Sequence, residues 1–203
     1  MEFPVDYPVP EGATPIFDIS DLKLEGIVTY SQLCEAEAES IFKAANKFLS
    51  SKRSIREPFF TESNLLKIHR EMFNEVWAWA GKYRKSITNI GVKPYLIKSE
   101  IIKLCHDVQF WVQETSPISL IEQVARIHHR LVSIHPFENG NGRHARLVAD
   151  IYLQRQGGIH PRWPIDLAKT SAARKLYIQA LQVADQGNYD LLMEYMCRYG
   201  ARY

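Results

Sequence analysis

HPFENGNGRHAR, residues 135–146, is the stretch on which the reading of this chain turns. A long amphipathic run leads into it and another leads out. Pro136 has no backbone N–H and biases its predecessor away from helical angles, so the preceding helix is expected to stop near Ile134 or His135. That leaves the His135 imidazole at a helix end. Histidine titrates near neutral pH, so it can take a proton from a hydroxyl and later release it. Gly140 and Gly142 permit left-handed angles, which let successive N–H groups converge on an anion. Asn141 suits a helix N-cap, with the new helix starting at Gly142 or Arg143 and its positive end aimed at the same anion. Arg143 and Arg146 lie three apart on one face of that first turn. The helix dipole disfavours cations there, so two of them make sense opposite a polyphosphate. Phe137 is the expected apolar anchor of the loop. Gly and Asn are common in turns, and Asn-Gly-Asn-Gly alone would carry little weight. The ordered set between two helices carries the argument.

These residues resemble the Fic motif, HPF-x-[DE]-GNGR-x-x-R, at every marked position but one. Upstream, WAGKYR (Trp79 to Arg84) resembles a second stretch common in Fic domains, and the likeness extends over roughly residues 30 to 200. Within the family the chain is similar to the short Fic proteins found with mobile elements, called mobile mystery protein B. The resemblance implies an all-α Fic fold with an inserted β-hairpin flap: an N-terminal arm over 1–28 with a candidate inhibitory segment, and a Fic domain over 29–203. It implies a toxin-like protein adenylyltransferase that moves AMP from ATP onto a Ser, Thr or Tyr hydroxyl of a target protein. His135 would match the base. Gly140, Asn141 and Gly142 would match the loop around the α- and β-phosphates, and Arg143 and Arg146 the arginines on the β- and γ-phosphates. A relative, the Doc toxin, has lysine after the loop Asn and uses ATP as a phosphate donor; Gly142 here points to nucleotidyl transfer instead.

Asn139 is the departure. The family has Asp or Glu there to hold Mg²⁺ (or Mn²⁺), and Asn offers a carbonyl oxygen without charge. Glu138 is expected to point elsewhere. Many Fic proteins also carry an inhibitory motif, [ST]-x-x-x-E-[GN]. Glu25-Gly26 fits its end, with Asp21 where Ser or Thr belongs, so Glu25 would compete with the γ-phosphate for Arg146; the alternative is a surface turn. Ile87, Ile90 and Val92 would be the flap residues that dock the target, or parts of an ordinary hairpin. Tyr177 and Leu181 fall where relatives place residues near adenosine, or simply pack. An antitoxin-like regulator is a further implied partner. The same constellation could instead remove AMP, transfer another nucleotide, or bind nucleotide or protein without turnover.

Composition is ordinary: 203 residues, 46% hydrophobic, 24% charged and a net charge of +2. This suits one sizeable core and gives no case for nucleic acid or membrane as partner. Paired glycines also speak against a DNA-binding helix-turn-helix. There is no apolar run of spanning length and no signal-peptide pattern. Cys34, Cys105 and Cys197 read as reduced core thiols of a cytoplasmic protein. The lack of CxxC or HExxH speaks against a structural zinc or zincin site.

Along the chain, residues 1–19 are proline-rich and read as an extended arm. Thr29 to Gln32 fits a capping box for a helix to about Ser50, with Leu33, Ile41, Phe42, Ala45, Phe48 and Leu49 as its stripe. Lys52, Arg53 and Arg56 read as a solvated loop. Thr61 caps a helix to about Ala80, with His69 beside its apolar face. Tyr83 to Ile97 reads as a short hairpin. Ser99 opens a helix carrying Ile101, Leu104, Cys105, Val108 and Val112. The helix Ile118–Ile134 turns His128 inward and His129 elsewhere. The helix after the motif ends at Gly157-Gly158 and packs antiparallel to it. Two more follow, about Ser171–Asp185 and Tyr189–Tyr199.

Overall fold

Helix starts follow the side-chain caps that the sequence supplies. In the computed structural model, which describes residues 19–50, 59–113, 116–158, 163–164, 167 and 171–198, Thr29 accepts the Gln32 N–H while the Gln32 side chain accepts from the Thr29 N–H, opening α1 (Tyr30–Leu49). Such a cap is worth about 1 kcal/mol. Thr61 caps α2 (Glu62–Phe73), Ser119 caps α4 (Leu120–Ile134), and Ser171 caps α6 (Ala172–Ala184), each accepting the N–H three residues on without the returning bond. A 3₁₀ turn, Pro94–Leu96, feeds α3 (Ile97–Trp111). α5 (Asn141–Arg155) follows the motif loop, and α7 (Asp190–Arg198) ends the described chain.

The helical hairpin α4–α5 is the centre of the molecule, with α1 and α2 against α5 and α3 against α4. Val124, Ile127 and Leu131 of α4 and Ala145, Val148, Ala149 and Ile151 of α5 are fully buried, as are Leu65, Ile68, Met72 and Phe73 of α2. Burying each large apolar side chain contributes roughly 1.5–3 kcal/mol. The architecture is mostly helical, as expected. Among the described residues no helix is long and apolar enough to cross a membrane.

Several local expectations are corrected. α2 stops at Phe73, not Ala80. The chain after it is claimed by the N-terminal segment: Leu22 bridges Trp77, the Lys23 N–H donates to the Val76 carbonyl (2.9 Å), and the Ala78 N–H to that of Asp21 (2.9 Å). Val76 and Trp77 are buried without being helical. Over 83–97 the chain forms turns and the 3₁₀ turn and then enters α3 at Ile97, with no strand among these residues. The reason is Arg84, whose guanidinium takes the carbonyls of Ser86 and Val92 that strand pairing would use. Phe42 is 66% exposed and Val112 also faces solvent, so neither belongs to a buried stripe. Cys105 is buried but Cys34 and Cys197 are exposed. His129 is buried, with Nε2 2.8 Å from Asp185 Oδ1. The proline-rich arm before residue 19, the basic cluster at 52–56 and Tyr199 lie outside the described residues.

Candidate active site

α4 ends at His135, which sits in the left-handed region at φ 53°. For a non-glycine residue that conformation costs roughly 1–2 kcal/mol and needs outside support. Arg84 supplies it. Arg84 Nε donates to the His135 carbonyl at 2.6 Å, and the Arg84 N–H donates to the Pro136 carbonyl at 2.9 Å. Its terminal nitrogens reach the carbonyls of Ser86 and Val92, and the Val92 N–H reaches that of Ile134 at 3.3 Å. Residues 84–92 therefore wrap the histidine. Gly91 (φ 108°) is where they come closest: a Cβ there would lie 2.5 Å from the His135 Cβ. The imidazole is enclosed, with His135 5% exposed. Burial, aided by the Arg84 charge and opposed by a bond to the Val132 backbone, pushes its pKa down to about 4. It is neutral at pH 7 and able to accept a proton.

The loop that follows is pinned from inside. Phe137 is buried and stacks on His69, ring centroids 3.6 Å apart. His69 Nδ1 accepts the Gly81 N–H (2.9 Å), so its Nε2 carries the proton and donates to the Asn139 carbonyl (3.1 Å). The Asn141 side chain accepts from the Phe137 N–H (2.9 Å) and donates to the Phe137 carbonyl (2.8 Å). Asn141 is thus the first residue of α5 rather than its cap; Gly140, at φ 77°, takes that place. A Cβ on Gly140 would meet Phe73 Cζ at 2.4 Å. The first intrahelical bond runs from the His144 N–H to the Gly140 carbonyl (2.8 Å). The N–H groups of Asn141, Gly142 and Arg143 have no acceptor within the helix, the arrangement that binds anions.

Both motif arginines lie at this helix mouth. Arg143 packs its guanidinium over the Phe73 ring at 4.9 Å, donates through Nη2 to Asn139 Oδ1 (3.3 Å) and through Nη1 to Glu37 Oε2 (2.6 Å). Arg146 Nη1 lies 3.6 Å from where a Gly142 Cβ would stand, over the first turn. The Arg146 charge also acts on the Tyr177 hydroxyl, which sits 2.9 Å from His128 Nε2. Tyr177 is therefore buried beside a motif arginine as well as packing. Behind Arg146, burial raises the Asp150 carboxyl to about 7, against the Trp163 indole bond and the Arg146 charge.

Asn139 Oδ1 also accepts the Gly140 N–H (2.6 Å), so it already faces two donors. Glu138 turns away, as expected, accepting from the Lys85 N–H (3.2 Å) and Ser86 Oγ (2.6 Å). Among the described residues no three His, Cys, Asp or Glu side chains gather to hold a metal. The donor set at the loop does not fit a protein-held Mg²⁺, which takes one or two carboxylates. Ile87 and Ile90 are exposed and Val92 packs on the core. Glu25 is exposed, and among the described residues no ion pair joins it to Arg146. The carboxylate on a motif arginine is that of Glu37.

Sequence reasoning missed Arg84, Glu37 and the bridging role of His69. Arg84 lay inside the quoted WAGKYR. Glu37 gave a subtler signal: it follows Leu33 by one helical turn, a carboxylate on the buried face of α1.

The domain is mostly helical, and it gathers a buried histidine and two arginines around the mouth of one helix. The sequence profile of the Fic/DOC family matches residues 59–153, a span that holds this whole loop. The chain is 29% identical over 148 residues to the protein adenylyltransferase Fic of Aedes aegypti, covering 71% of this chain and 28% of that protein. To protein adenylyltransferase fic-1 of Caenorhabditis elegans it is 27% identical over 139 residues, covering 67% and 26%. The chain spans about a quarter of the length of these curated relatives. Among solved structures, BepC of Bartonella tribocorum with bound AMPPNP shares the fold at TM-score 0.66 and 19% identity, over 96% of this chain and 97% of that one. Fic-1 (aa134–508) of C. elegans does so at TM-score 0.62 and 24% identity, over 80% and 46%.

Proposed function

We propose that this domain is a protein adenylyltransferase that moves AMP from ATP onto a Ser, Thr or Tyr hydroxyl of a target protein. The observation that carries this reading is one juxtaposition. A neutral, enclosed His135 ends α4 while Gly140, Asn141 and Gly142 open α5 beneath Arg143 and Arg146. Two further findings support it: relatives at 27–29% identity carry the name protein adenylyltransferase, and a structural neighbour holds AMPPNP.

The target hydroxyl attacks the α-phosphorus in line, its proton passes to His135, and pyrophosphate leaves. The first-turn N–H groups of α5 and the two guanidinium groups neutralise the charge that develops on the phosphates. Mg²⁺ or Mn²⁺ would arrive on the triphosphate, since Asn139 brings no carboxylate. Ile87 and Ile90 are the residues we assign to target docking, with Val92 fixing their segment to the core. Glu25 is assigned a restraining role toward Arg146. We place the protein in the cytoplasm, toxin-like, and answerable to an antitoxin-like regulator. The uncharged Asn139 favours one rival, a nucleotide-binding module without turnover.

The test is incubation of the protein and a cell extract with α-labelled ATP and Mg²⁺ or Mn²⁺. Label should appear on protein with the wild type and vanish with His135→Ala, while that variant still binds ATP. ATP binding with no label from the wild type would favour the rival; label transfer by His135→Ala would remove the base assignment.

A further inference from the structure

Glu37 lies on the buried face of α1 in line with Leu33, Ser40 and Ala44, and is 3% exposed. Burying a lone carboxylate costs several kcal/mol, so its partners matter. Both of its oxygens are used. Oε1 accepts from the Trp77 indole N–H at 2.7 Å, and Oε2 accepts from Arg143 Nη1 at 2.6 Å. Trp77 is itself fixed, bridged by Leu22 and stacked on Trp79 at 5.1 Å. Arg143 is thus gripped by Glu37, by the Phe73 ring and by Asn139 Oδ1.

We propose that Glu37 is a positioning residue for nucleotide binding: it fixes the Arg143 guanidinium from the α1 side so that its remaining N–H groups face the phosphates. This rests on the nucleotide-site reading above. A guanidinium has five N–H donors. One goes to Glu37 and one to Asn139, which leaves three for an anion. A mobile arginine loses rotamer entropy on binding, and holding it in place beforehand removes much of that cost. Glu37 is badly placed to act as a competitor that swings aside when phosphate arrives. It is in mid-helix, enclosed, and tied by its second oxygen to an indole that does not move with it.

The experiment is calorimetric titration of the whole chain with ATP and, separately, with AMP, which lacks the β- and γ-phosphates. Glu37→Gln keeps the shape and an acceptor for Trp77 but turns an amide toward Arg143. We expect ATP affinity to fall about tenfold, or about 1.4 kcal/mol, with AMP affinity within twofold of wild type. In an Arg143→Ala background the same change should shift ATP affinity less than twofold, because Glu37 then has nothing to hold. Should Glu37→Gln not fold, Trp77→Phe, which frees one carboxylate oxygen, is read the same way with a smaller loss. Unchanged or tighter ATP binding by the variant would overturn the proposal, the latter marking Glu37 as a competitor. So would an equal loss for AMP, or full additivity with Arg143→Ala. A wild-type chain that binds neither nucleotide would remove the nucleotide site and this inference together.

Discussion

Replacing Arg84 by lysine should slow AMP transfer about a hundredfold while leaving ATP binding nearly intact. Arg84 is 2% exposed, and its side chain serves three carbonyls, those of His135, Ser86 and Val92. Lysine keeps the charge but offers a compact ammonium in place of a planar fork, so it cannot reach all three. Each buried acceptor left without a donor costs about 1–3 kcal/mol. One or two such losses amount to about 2–4 kcal/mol, within the usual 5–15 kcal/mol of domain stability, so the variant should fold with its melting temperature lowered by roughly 10 °C. The catalytic consequence is larger. His135 holds its left-handed angle, φ 53°, against a penalty of roughly 1–2 kcal/mol, and the bond to its carbonyl offsets that penalty. Without it the imidazole drifts, and a displacement of about 1 Å costs on the order of 10²-fold in rate. The phosphate-facing groups belong to α5 and do not depend on Arg84. Single-turnover transfer from α-labelled ATP, with ATP affinity measured in parallel, separates the two effects. A folded Arg84→Lys variant with kcat within threefold of wild type, or one whose ATP affinity falls in step with kcat, would refute the reasoning.

Other outcomes follow from the same geometry. Gly140→Ala forces a Cβ to 2.4 Å from Phe73 Cζ at φ 77°; overpacking and left-handed strain together should cost about 3 kcal/mol, seen as a lower urea midpoint, with weakened ATP binding. A midpoint equal to wild type would mean that the loop relaxes freely. Acid should destabilise the fold through its buried histidines. His135 and His144 are held at about 4 and His128 at about 3, all chiefly by burial, below the ordinary 6.5. The unfolded chain therefore binds more protons between these values, and stability falls as pH drops from about 6.5 toward 4. Holding a histidine at about 4 in the folded state is worth about 3 kcal/mol, and holding His128 at about 3 somewhat more. Asp150, raised to about 7 by burial, works the other way and offsets roughly one histidine. Urea titrations at pH 7 and 4.5 measure the sum, and a flat profile, or one unchanged by His144→Gln, would contradict it. Finally, Glu25→Gly should raise transfer if Glu25 restrains Arg146; an unaltered rate would leave Glu25 as a surface residue.

Much was legible from residue order alone. Thr29, Thr61 and Ser171 announced helix starts because a cap is a contact between residues two or three apart. The motif loop was legible for the same reason. Proline, glycine and asparagine impose backbone angles locally, and the neighbours His135, Arg143 and Arg146 then have few places to go. Local rules misjudged the end of α2 and the hairpin at 83–97, since Leu22 and Arg84 supply distant partners that override propensity. Asn141 was misread by one place because its amide found both backbone groups of Phe137 instead of capping. Tertiary structure alone decided which carboxylate meets which arginine. Residue order offered only Glu25, toward Arg146, and it is the packing of α1 beside α5 that brings Glu37 to Arg143, 106 residues away. It also decided the charge state of His135: the side chain's identity permits either form at neutral pH, and enclosure under the 84–92 segment selects the neutral one.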